Sequence, residues 1–404
     1  MRTLDRFVRL FISLSAALVV ALLSANANAY PWMIRHGYAN CGTCHTDPSG
    51  SGLLTEYGHS QSDILLSTHY GAADAEPGHF SDSLFGLMPE SETFLVGGWV
   101  RDGYYAAFTN DPVKGWNKAD SRILQMRADL AAQATFGSLR LYASLGALDA
   151  SSSSFYPRAL VTDGSGWNAV AREYWAGLNL AEGDALLRVG RLILPIGIRI
   201  PEHTSFARTL TRSDFNDNQQ HGIAFAYHHG DWRAEVMAVL GNFQVGPDKF
   251  RDRGYAGYAE WHLDKKYAVG VSSSVLHAST DLELGAGATR HVHGLFARGS
   301  PFKSLAILVE ADALINAIDG VGTKTGYVGF AQADEEFYSG IHALLTAEVQ
   351  APAQPNAVTT TRIWLGAQWF PIAHFDVRAD AIYQPAVSTT PAQIIFVGQG
   401  NAYL

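Results

Sequence analysis

The chain has 404 residues and a formal net charge of −9, with 47% hydrophobic and 17% charged residues. Nucleic-acid binding requires basic surface to neutralise phosphates, so this charge balance excludes that class of function. No segment after the N-terminal region reaches the roughly 18 apolar residues that a membrane-spanning helix needs. The composition remains typical of a secreted enzyme, a soluble all-β protein or a membrane β-barrel.

Residues 1–29 have the pattern of a secretory signal peptide. An arginine-bearing start is followed by an apolar stretch over residues 10–23 and by the small-x-small site Ala27-Asn28-Ala29. We expect cleavage after Ala29, so that the mature chain begins at Tyr30. A retained membrane anchor is the weaker interpretation, because the apolar stretch is short and no stop-transfer flank follows it.

The sequence CGTCH at residues 41–45 contains both cysteines of the chain. C-x-x-C-H is the attachment motif of c-type haem, in which two thioethers hold the porphyrin and the adjacent histidine binds the iron. The motif predicts one covalent haem c on Cys41 and Cys44, with His45 as the proximal ligand. The flanks do not match a thioredoxin-like dithiol, no second cysteine pair completes a zinc site, and a disulfide across this spacing would be strained.

The sixth ligand of such an iron decides whether the haem transfers electrons or binds small molecules. A downstream residue has more chain with which to reach the second haem face, whereas His36 lies so close to Cys41 that it would more easily stay on the proximal side. An iron with no sixth ligand is a further possibility. The candidates are Met33, His36, His59, His69, His79 and Met88.

From about residue 92 onward, apolar and polar residues alternate in strand-length segments separated by turn residues. In ILQMRADLAAQATF, for example, Arg127, Asp129 and Gln133 share one face, and Leu130 and Ala132 share the other. A soluble sandwich would also alternate, but charges confined to one face in so many strands favour a polar lumen and a lipid-facing exterior. We therefore predict an all-β fold, a transmembrane antiparallel β-barrel of about 14–16 strands with a small N-terminal c-type haem module.

This pattern divides the chain into a signal peptide (1–29), a monohaem cytochrome c module (30–88) and an outer-membrane barrel (89–404). The module is too short to bury much surface alone, so we expect the haem and the barrel lumen to complete its core. Aromatic residues near the strand ends are predicted to form interfacial girdles: Trp99, Tyr104, Tyr105, Trp175, Trp232, Trp261, Tyr267, Trp369 and Phe370.

Residues 188–212 interrupt the barrel pattern with two prolines and five arginines, which predicts a loop or an interrupted strand. The arginines can hold haem propionates or an acidic loop, because guanidinium groups bind carboxylates in a bidentate manner. They can also be solvated lumen charges, the interpretation that we favour. They are Arg188, Arg191, Arg199, Arg208 and Arg212.

The export signal, the single C-x-x-C-H unit close behind it and the long C-terminal barrel together resemble the fused monohaem cytochrome-porins of bacterial outer membranes, best known from iron-oxidising bacteria. The segments WMIRHGYANCGTCHTDPSGSGLLTEYG and VGRLILPIGIRIPEHTSFAR are also similar to stretches of such proteins. The resemblance implies electron transfer across the outer membrane, with the haem module held in or under the pore. It implies a periplasmic cytochrome as one partner and an extracellular electron donor or acceptor, for example ferrous iron, as the other.

Two other functions remain open. The first is a diffusion porin in which the haem module acts as a plug or sensor. The second is a haem peroxidase, which needs an open iron position and a distal acid–base group such as His36 or His59. An electron-transfer protein of the outer membrane, in contact with the lipid bilayer, is the interpretation that we prefer over a substrate-converting enzyme.

Overall fold

A computed structural model describes residues 31–38, 40–48, 50, 52–69, 87, 91, 93–149, 167–202, 204–214, 218–388 and 390–403. The predicted signal peptide and two of the candidate haem ligands, His79 and Met88, lie outside these ranges. The boundary between module and barrel, which we placed at residue 88, falls there as well and stays a prediction.

Most of the described chain is β-strand. The first half contains β1 (Phe94–Asp111), β2 (Gly115–Phe136), β3 (Leu139–Asp149), β4 (Trp167–Val170), β5 (Tyr174–Leu180), β6 (Ala185–Leu192), β7 (Gln220–His229), β8 (Trp232–Gly241) and β9 (Arg253–His262). The second half contains β10 (Tyr267–Ala278), β11 (Ala288–Gly299), β12 (Leu305–Ile318), β13 (Gly322–Tyr338), β14 (Ile341–Ala351), β15 (Thr360–Ile372), β16 (Phe375–Gln384) and β17 (Gln393–Tyr403).

The strands form one closed antiparallel barrel. Each strand pairs with its neighbours in sequence, and β17 pairs with β1 to close the sheet, with Tyr403 opposite Trp99. The short strands β4 and β5 both pair with β3, so they share one position in the wall. The described chain therefore has sixteen wall positions, which confirms the predicted all-β antiparallel barrel and its strand number, while the haem module stays a prediction. A closed barrel leaves no sheet edge unpaired, as spanning a bilayer requires.

The two faces of the wall divide as predicted. Arg127 and Asp129 point inward and are buried, whereas Leu130, which follows Asp129, is 58% exposed on the outer face. The same alternation runs along β16, where Asp376 and Arg378 are buried. A polar interior and an apolar exterior are the arrangement of an outer-membrane barrel, and such an exterior requires contact with lipid, as predicted for this chain.

The prediction of aromatic girdles is correct only in part. Trp232 and Trp261 are about half exposed on the outer face, and their rings stack at 5.6 Å between centroids. Trp175 and Phe370, however, are 5% and 3% exposed inside the barrel. The alternation of strand faces, rather than closeness to a strand end, decides which way an aromatic side chain points.

The two ends of the barrel differ in the length of their connections. At one end the strands are joined by short turns, among them 137–138, 230–231, 339–340 and 373–374. At the other end lie longer connections such as 193–219, 242–252 and 385–392. In bacterial outer-membrane barrels the short turns face the periplasm and the long loops face outward. Strand β1 begins and β17 ends at the short-turn end.

The N-terminal segment consists of short helical turns packed inside the barrel. They are the 3-10 turns Pro31–His36 and Cys41–Thr43, helix α1 (Glu56–Gln61) and the π turn Ser62–Leu66. Trp32 and Leu53 are almost completely buried against side chains of the barrel interior. Among the described residues, no helix is long and apolar enough to cross a membrane.

The connection between β6 and β7 folds into the lumen. The side chains of Ile193, Ile196 and Ile200 are buried there, followed by helix α2 (Phe206–Thr211). Carboxylates of the opposite wall hold this connection: Glu310 accepts from the backbone N–H of Ile198 at 2.9 Å, and Glu348 accepts from that of Phe206 at 2.7 Å. The sequence predicted a loop or an interrupted strand for residues 188–212; strand β6 ends at Leu192 and a long loop follows, which confirms the first alternative.

Candidate functional site

Both cysteines lie at one short turn. The side chain of Asn40 begins it by accepting a hydrogen bond from the N–H of Gly42 at 3.1 Å. The N–H groups of Cys44 and His45 both donate to the carbonyl oxygen of Cys41, at 3.2 and 3.0 Å. The turn thus brings Cys41, Cys44 and His45 together, and the two thiols are free rather than joined in a disulfide.

Helix α1 packs directly on this turn. The N–H of Thr55 donates to the carbonyl oxygen of Cys44 at 2.9 Å, and the Thr55 hydroxyl caps the helix by accepting from Gly58. Any Cβ at position 58 would collide with the Cys44 carbonyl oxygen. Gly58 therefore permits the close approach that positions the cysteine turn.

The cysteine turn faces a cavity between the N-terminal segment and the barrel wall. This cavity has a volume of about 280 Å³ and is continuous with solvent, and Cys41, Cys44 and His45 all line it. Its barrel side is built at the short-turn end from residues 370, 372–375 and 401–403. Pockets that hold drug-sized ligands measure about 300–1,000 Å³, so this cavity lies close to the lower end of that range.

Burial sets the protonation of the residues on this turn. It lowers the pKa of His45, although the charge of Asp47 and a backbone hydrogen bond with Gly52 partly oppose it. The imidazole is thus neutral at neutral pH, the form in which histidine binds metal. Burial, with the neighbouring Cys41, raises the pKa of Cys44 to about 11, so this thiol is neutral as well.

The predicted distal ligands lie in different places. Among the described residues that line the cavity, Met33 is present, but His36, His59 and His69 are not. Burial and the charge of Arg35 lower the pKa of His36 to about 4. His59 is buried on α1. The candidate Met88 lies outside the described ranges.

One histidine of the cavity was missed by the sequence analysis. His374 lies in the turn between β15 and β16, lines the same cavity as the cysteine turn and is 5% exposed. Its ring centroid is 5.9 Å from that of His59. The surrounding sequence PIAHF gives no signal, because it has the character of any hairpin turn. The unusual feature is a φ of 70° at a non-glycine residue, which only the structure shows.

Arginines surround the cavity, but mostly not those that we singled out. Arg101, Arg127 and Arg298 belong to the wall, and Arg199 belongs to the connection inside the lumen. Arg101 donates to the side chain of Gln399 and to the carbonyl oxygen of Pro201. Of the five arginines in residues 188–212, Arg199 alone is among the described residues lining the cavity.

Our interpretation of those five arginines as solvated lumen charges is wrong for most of them. Arg188, Arg191 and Arg208 are at most 2% exposed. Arg188 pairs with Asp47 and Glu235, Arg208 pairs with Glu310, and Arg212 pairs with Asp281. A buried guanidinium needs hydrogen-bonded partners to offset its lost hydration, and the folded connection supplies them.

Two arginines also fix the N-terminal segment to the barrel. Arg188 of β6 donates to Asp47 at 2.7 Å. Arg35 reaches the opposite side, where it contacts Asp334 and donates to Glu336 at 3.3 Å and to the carbonyl oxygen of Ser304 at 2.7 Å. The segment is therefore held across the lumen by buried charge contacts.

Comparisons with known proteins support the fold. No protein-family model matches this chain, and neither does any curated protein. Solved structures do match: the loop L8 deletion mutant of OmpT, an outer membrane protein of Vibrio cholerae, has a TM-score of 0.57 and 12% identity over 78% of this chain and 100% of that one. The anion-selective porin from Comamonas acidovorans has a TM-score of 0.52 and 13% identity, covering 77% and 99%.

The outer membrane channel DcaP of Acinetobacter baumannii is a third such structure, with a TM-score of 0.52 and 10% identity over 76% of this chain and 96% of that one. Similarity at these identities shows the fold alone. The chain has a porin-like outer-membrane barrel fold. With its apolar outer face, this fold belongs in the outer membrane, as the sequence predicts.

The residues present fit a covalently attached haem. Two free thiols three positions apart and a neutral histidine share one turn, and they face a cavity of about 280 Å³ that is continuous with solvent. Nearby guanidinium groups suit carboxylates. These residues can attach a haem and supply an axial ligand to its iron. Among the described residues that line the cavity we identify no nucleophile with a partnering base.

Proposed function

We propose that this protein is an outer-membrane electron-transfer barrel that carries one haem c in its N-terminal segment. The observation that carries the proposal is that Cys41, Cys44 and His45 share one turn and line one cavity inside a porin-like barrel. The resemblance to the fused monohaem cytochrome-porins supports it. When bound, the haem supplies one-electron redox chemistry.

The chain's own residues have separate roles in this proposal. Cys41 and Cys44 anchor the porphyrin through thioethers, and His45 supplies the proximal nitrogen. Arg101 and Arg199 lie on the same cavity and are suited to bind the two propionates, since guanidinium groups pair with carboxylates. The barrel wall and the connection inside the lumen separate the site from lipid.

The cavity lies at the short-turn end of the barrel, which in this class faces the periplasm. This favours a soluble periplasmic electron carrier, such as a cytochrome, as the partner that docks at this mouth. A single haem there leaves most of an apolar band about 25 Å tall to be crossed, so exchange with an extracellular donor or acceptor requires access through the lumen.

A diffusion porin is the second candidate, and the structural neighbours favour it, because they include an outer membrane channel and an anion-selective porin. In that function the N-terminal segment would act as a plug in the lumen. The buried contacts of Arg35 and Arg188 would then keep the plug in place. A peroxidase has less support, since it requires an open iron position and a distal acid–base residue.

The test measures covalently bound haem and electron transfer across the membrane with the same preparation of protein. Protein from outer membranes is denatured, freed of non-covalent haem and assayed for bound haem, with the double variant Cys41→Ala, Cys44→Ala as the matched control. The wild type is then reconstituted into vesicles that contain a membrane-impermeant electron acceptor, and a reductant is added outside.

We expect haem bound to the denatured wild type and absent from the double variant, and internal acceptor reduced only by the wild type. Haem that resists denaturation in the double variant would contradict the attachment. Haem-independent uptake of small sugars by the same vesicles, without acceptor reduction, would establish the diffusion porin instead.

A further inference from the structure

We propose that the barrel itself supplies the second axial ligand of the haem, through Nε2 of His374. This inference rests on the proposed function, because it concerns the iron that His45 would bind. It assigns a role to a residue outside the N-terminal segment, and it makes the haem a bridge between that segment and the wall.

The first observation is location. The cavity has one side formed by the N-terminal segment, with Cys41, Cys44 and His45, and another formed by the barrel, with residues 370, 372–375 and 401–403. His374 lies on the barrel side. Residues close to Cys41 in the chain would more easily stay on the proximal side of the haem. A residue of the barrel wall is not limited by this short chain distance.

The second observation is the hydrogen bond made by the other ring nitrogen. Nδ1 of His374 lies 2.6 Å from the carbonyl oxygen of Tyr403. A carbonyl oxygen can only accept, so Nδ1 carries the proton, and Nε2 of the neutral ring carries a lone pair. Histidine ligands in metal sites characteristically donate their other N–H to a carbonyl in this way. Nε2 would hold the iron of a bound haem.

The third observation is how firmly this histidine is placed. The N–H of Tyr403 donates to the carbonyl oxygen of His374 at 2.8 Å, so the two residues are joined through both backbone and ring. The Tyr403 hydroxyl contacts Asp376 in turn. His374 has a φ of 70°, an uncommon conformation for a residue with a side chain, which the two-residue turn between β15 and β16 imposes.

Two other residues compete for the same position. Met33 lines the cavity, but it belongs to the same N-terminal segment as the cysteine turn and precedes Cys41 closely. The ring of His59 approaches that of His374, but His59 is not among the described residues lining the cavity. Both are therefore included in the experiment as alternatives.

The experiment compares the purified wild type with His374→Gly, because glycine tolerates a φ of 70° and leaves room for an added ligand. His69→Ala is the matched control, a histidine at the same end of the barrel that is not among the described lining residues. Absorption and magnetic circular dichroism spectra are recorded for oxidised and reduced protein, with and without carbon monoxide and imidazole. Covalent haem is measured separately after denaturation.

We expect a low-spin wild type that does not bind carbon monoxide and a His374→Gly variant with the same covalent haem content, high-spin iron and prompt carbon monoxide binding. Added imidazole should restore the low-spin spectrum of the variant, while His69→Ala should behave as the wild type. These results cannot come from a merely structural role, since imidazole replaces only the ligand.

Three results would overturn the inference while leaving the proposed function intact: a high-spin wild type, an unchanged spectrum in His374→Gly, or a loss of the low-spin state in Met33→Leu or His59→Ala instead. The absence of covalent haem from the wild type would overturn the proposed function itself. The measurement after denaturation distinguishes these two failures.

Discussion

Arg188 and Asp47 form a buried ion pair, with Nη1 2.7 Å from Oδ2, that joins the barrel wall to the segment carrying the cysteines. Arg188 also contacts Glu235 on β8, which lies two strands along the wall from β6. One guanidinium thus serves two carboxylates, one in the wall and one only two residues after His45. The geometry of the candidate site therefore depends on a side chain outside the N-terminal segment.

We predict that Arg188→Met destabilises the protein by about 3 to 5 kcal/mol, because it leaves two buried carboxylates without their cation. Asp47→Asn should cost less, about 1.5 to 3 kcal/mol, since Glu235 still pairs with the arginine. Both stability losses are measured by denaturant unfolding in detergent, with the heat-modifiable mobility of the folded barrel on a gel as the readout.

The matched control is Arg253→Met. Arg253 pairs with Asp248 at 2.6 Å, but both side chains are about half exposed or more, so solvent screens this pair and its loss should change the stability little. Equal losses for Arg188→Met and Arg253→Met would show that the contact with the N-terminal segment adds no stability.

The sequence predicted those features that local patterns encode. Alternating polar and apolar residues, such as those around Arg127 and Leu130, predicted the barrel and its two faces, and the number of alternating segments predicted the strand number. Strand periodicity is a property of neighbouring residues, so it can be seen in the sequence. The motif of Cys41, Cys44 and His45 predicts attachment and proximal ligation for the same reason, and this prediction awaits its test.

Contacts between distant parts of the chain could not be predicted in this way. Arg188 and Asp47 are 141 positions apart, and no spacing rule relates them. For this reason we took the arginines of residues 188–212 for solvated charges. His374 was missed because its bond to Tyr403, 29 positions further along the chain, arises only when β17 pairs with β16.

The outer face of β3 provides a test of membrane insertion. Leu145 is 63% exposed near the middle of this strand, where the apolar exterior requires lipid contact. We predict that Leu145→Arg destabilises the barrel by about 2 to 4 kcal/mol in a bilayer. Val113→Arg, in the turn between β1 and β2 where the side chain is 92% exposed, should change the stability little. Unfolding in lipid vesicles measures both, and an unchanged stability of the Leu145→Arg variant would argue that this face is not in lipid.

Gly58 tests the packing of helix α1 on the cysteine turn. An alanine there would place its Cβ against the carbonyl oxygen of Cys44, so we predict a loss of about 1 to 3 kcal/mol and a lower yield of covalent haem. Gly398→Ala is the control, since a Cβ at that position meets nothing within 4 Å. Haem-to-protein ratio and unfolding midpoint are measured together. If the two alanine variants behave alike, the close contact at Cys44 has no influence on the site.

The long-loop end of the barrel should lose stability in acid through Asp281. Burial alone would raise the pKa of this carboxyl, but hydrogen bonds from Arg212 and the charges of Arg212 and Arg290 hold it below its usual range. The bonds from Arg212 measure 2.7 and 2.9 Å and connect the residue that follows α2 to the loop between β10 and β11. Because the folded pKa lies below the unfolded one, this contribution is complete at neutral pH. It is lost as the pH falls below about 4.

We therefore predict that Asp281→Asn lowers the free energy of unfolding by about 1.5 to 3 kcal/mol at pH 7 and by progressively less below about pH 4. Unfolding of wild type and variant between about pH 7 and about pH 2 measures the difference. Asp248→Asn serves as the control, because that carboxylate is 63% exposed and screened by solvent. A gap between wild type and Asp281→Asn that stays constant over this whole range would mean that the ionised form of Asp281 does not stabilise the fold.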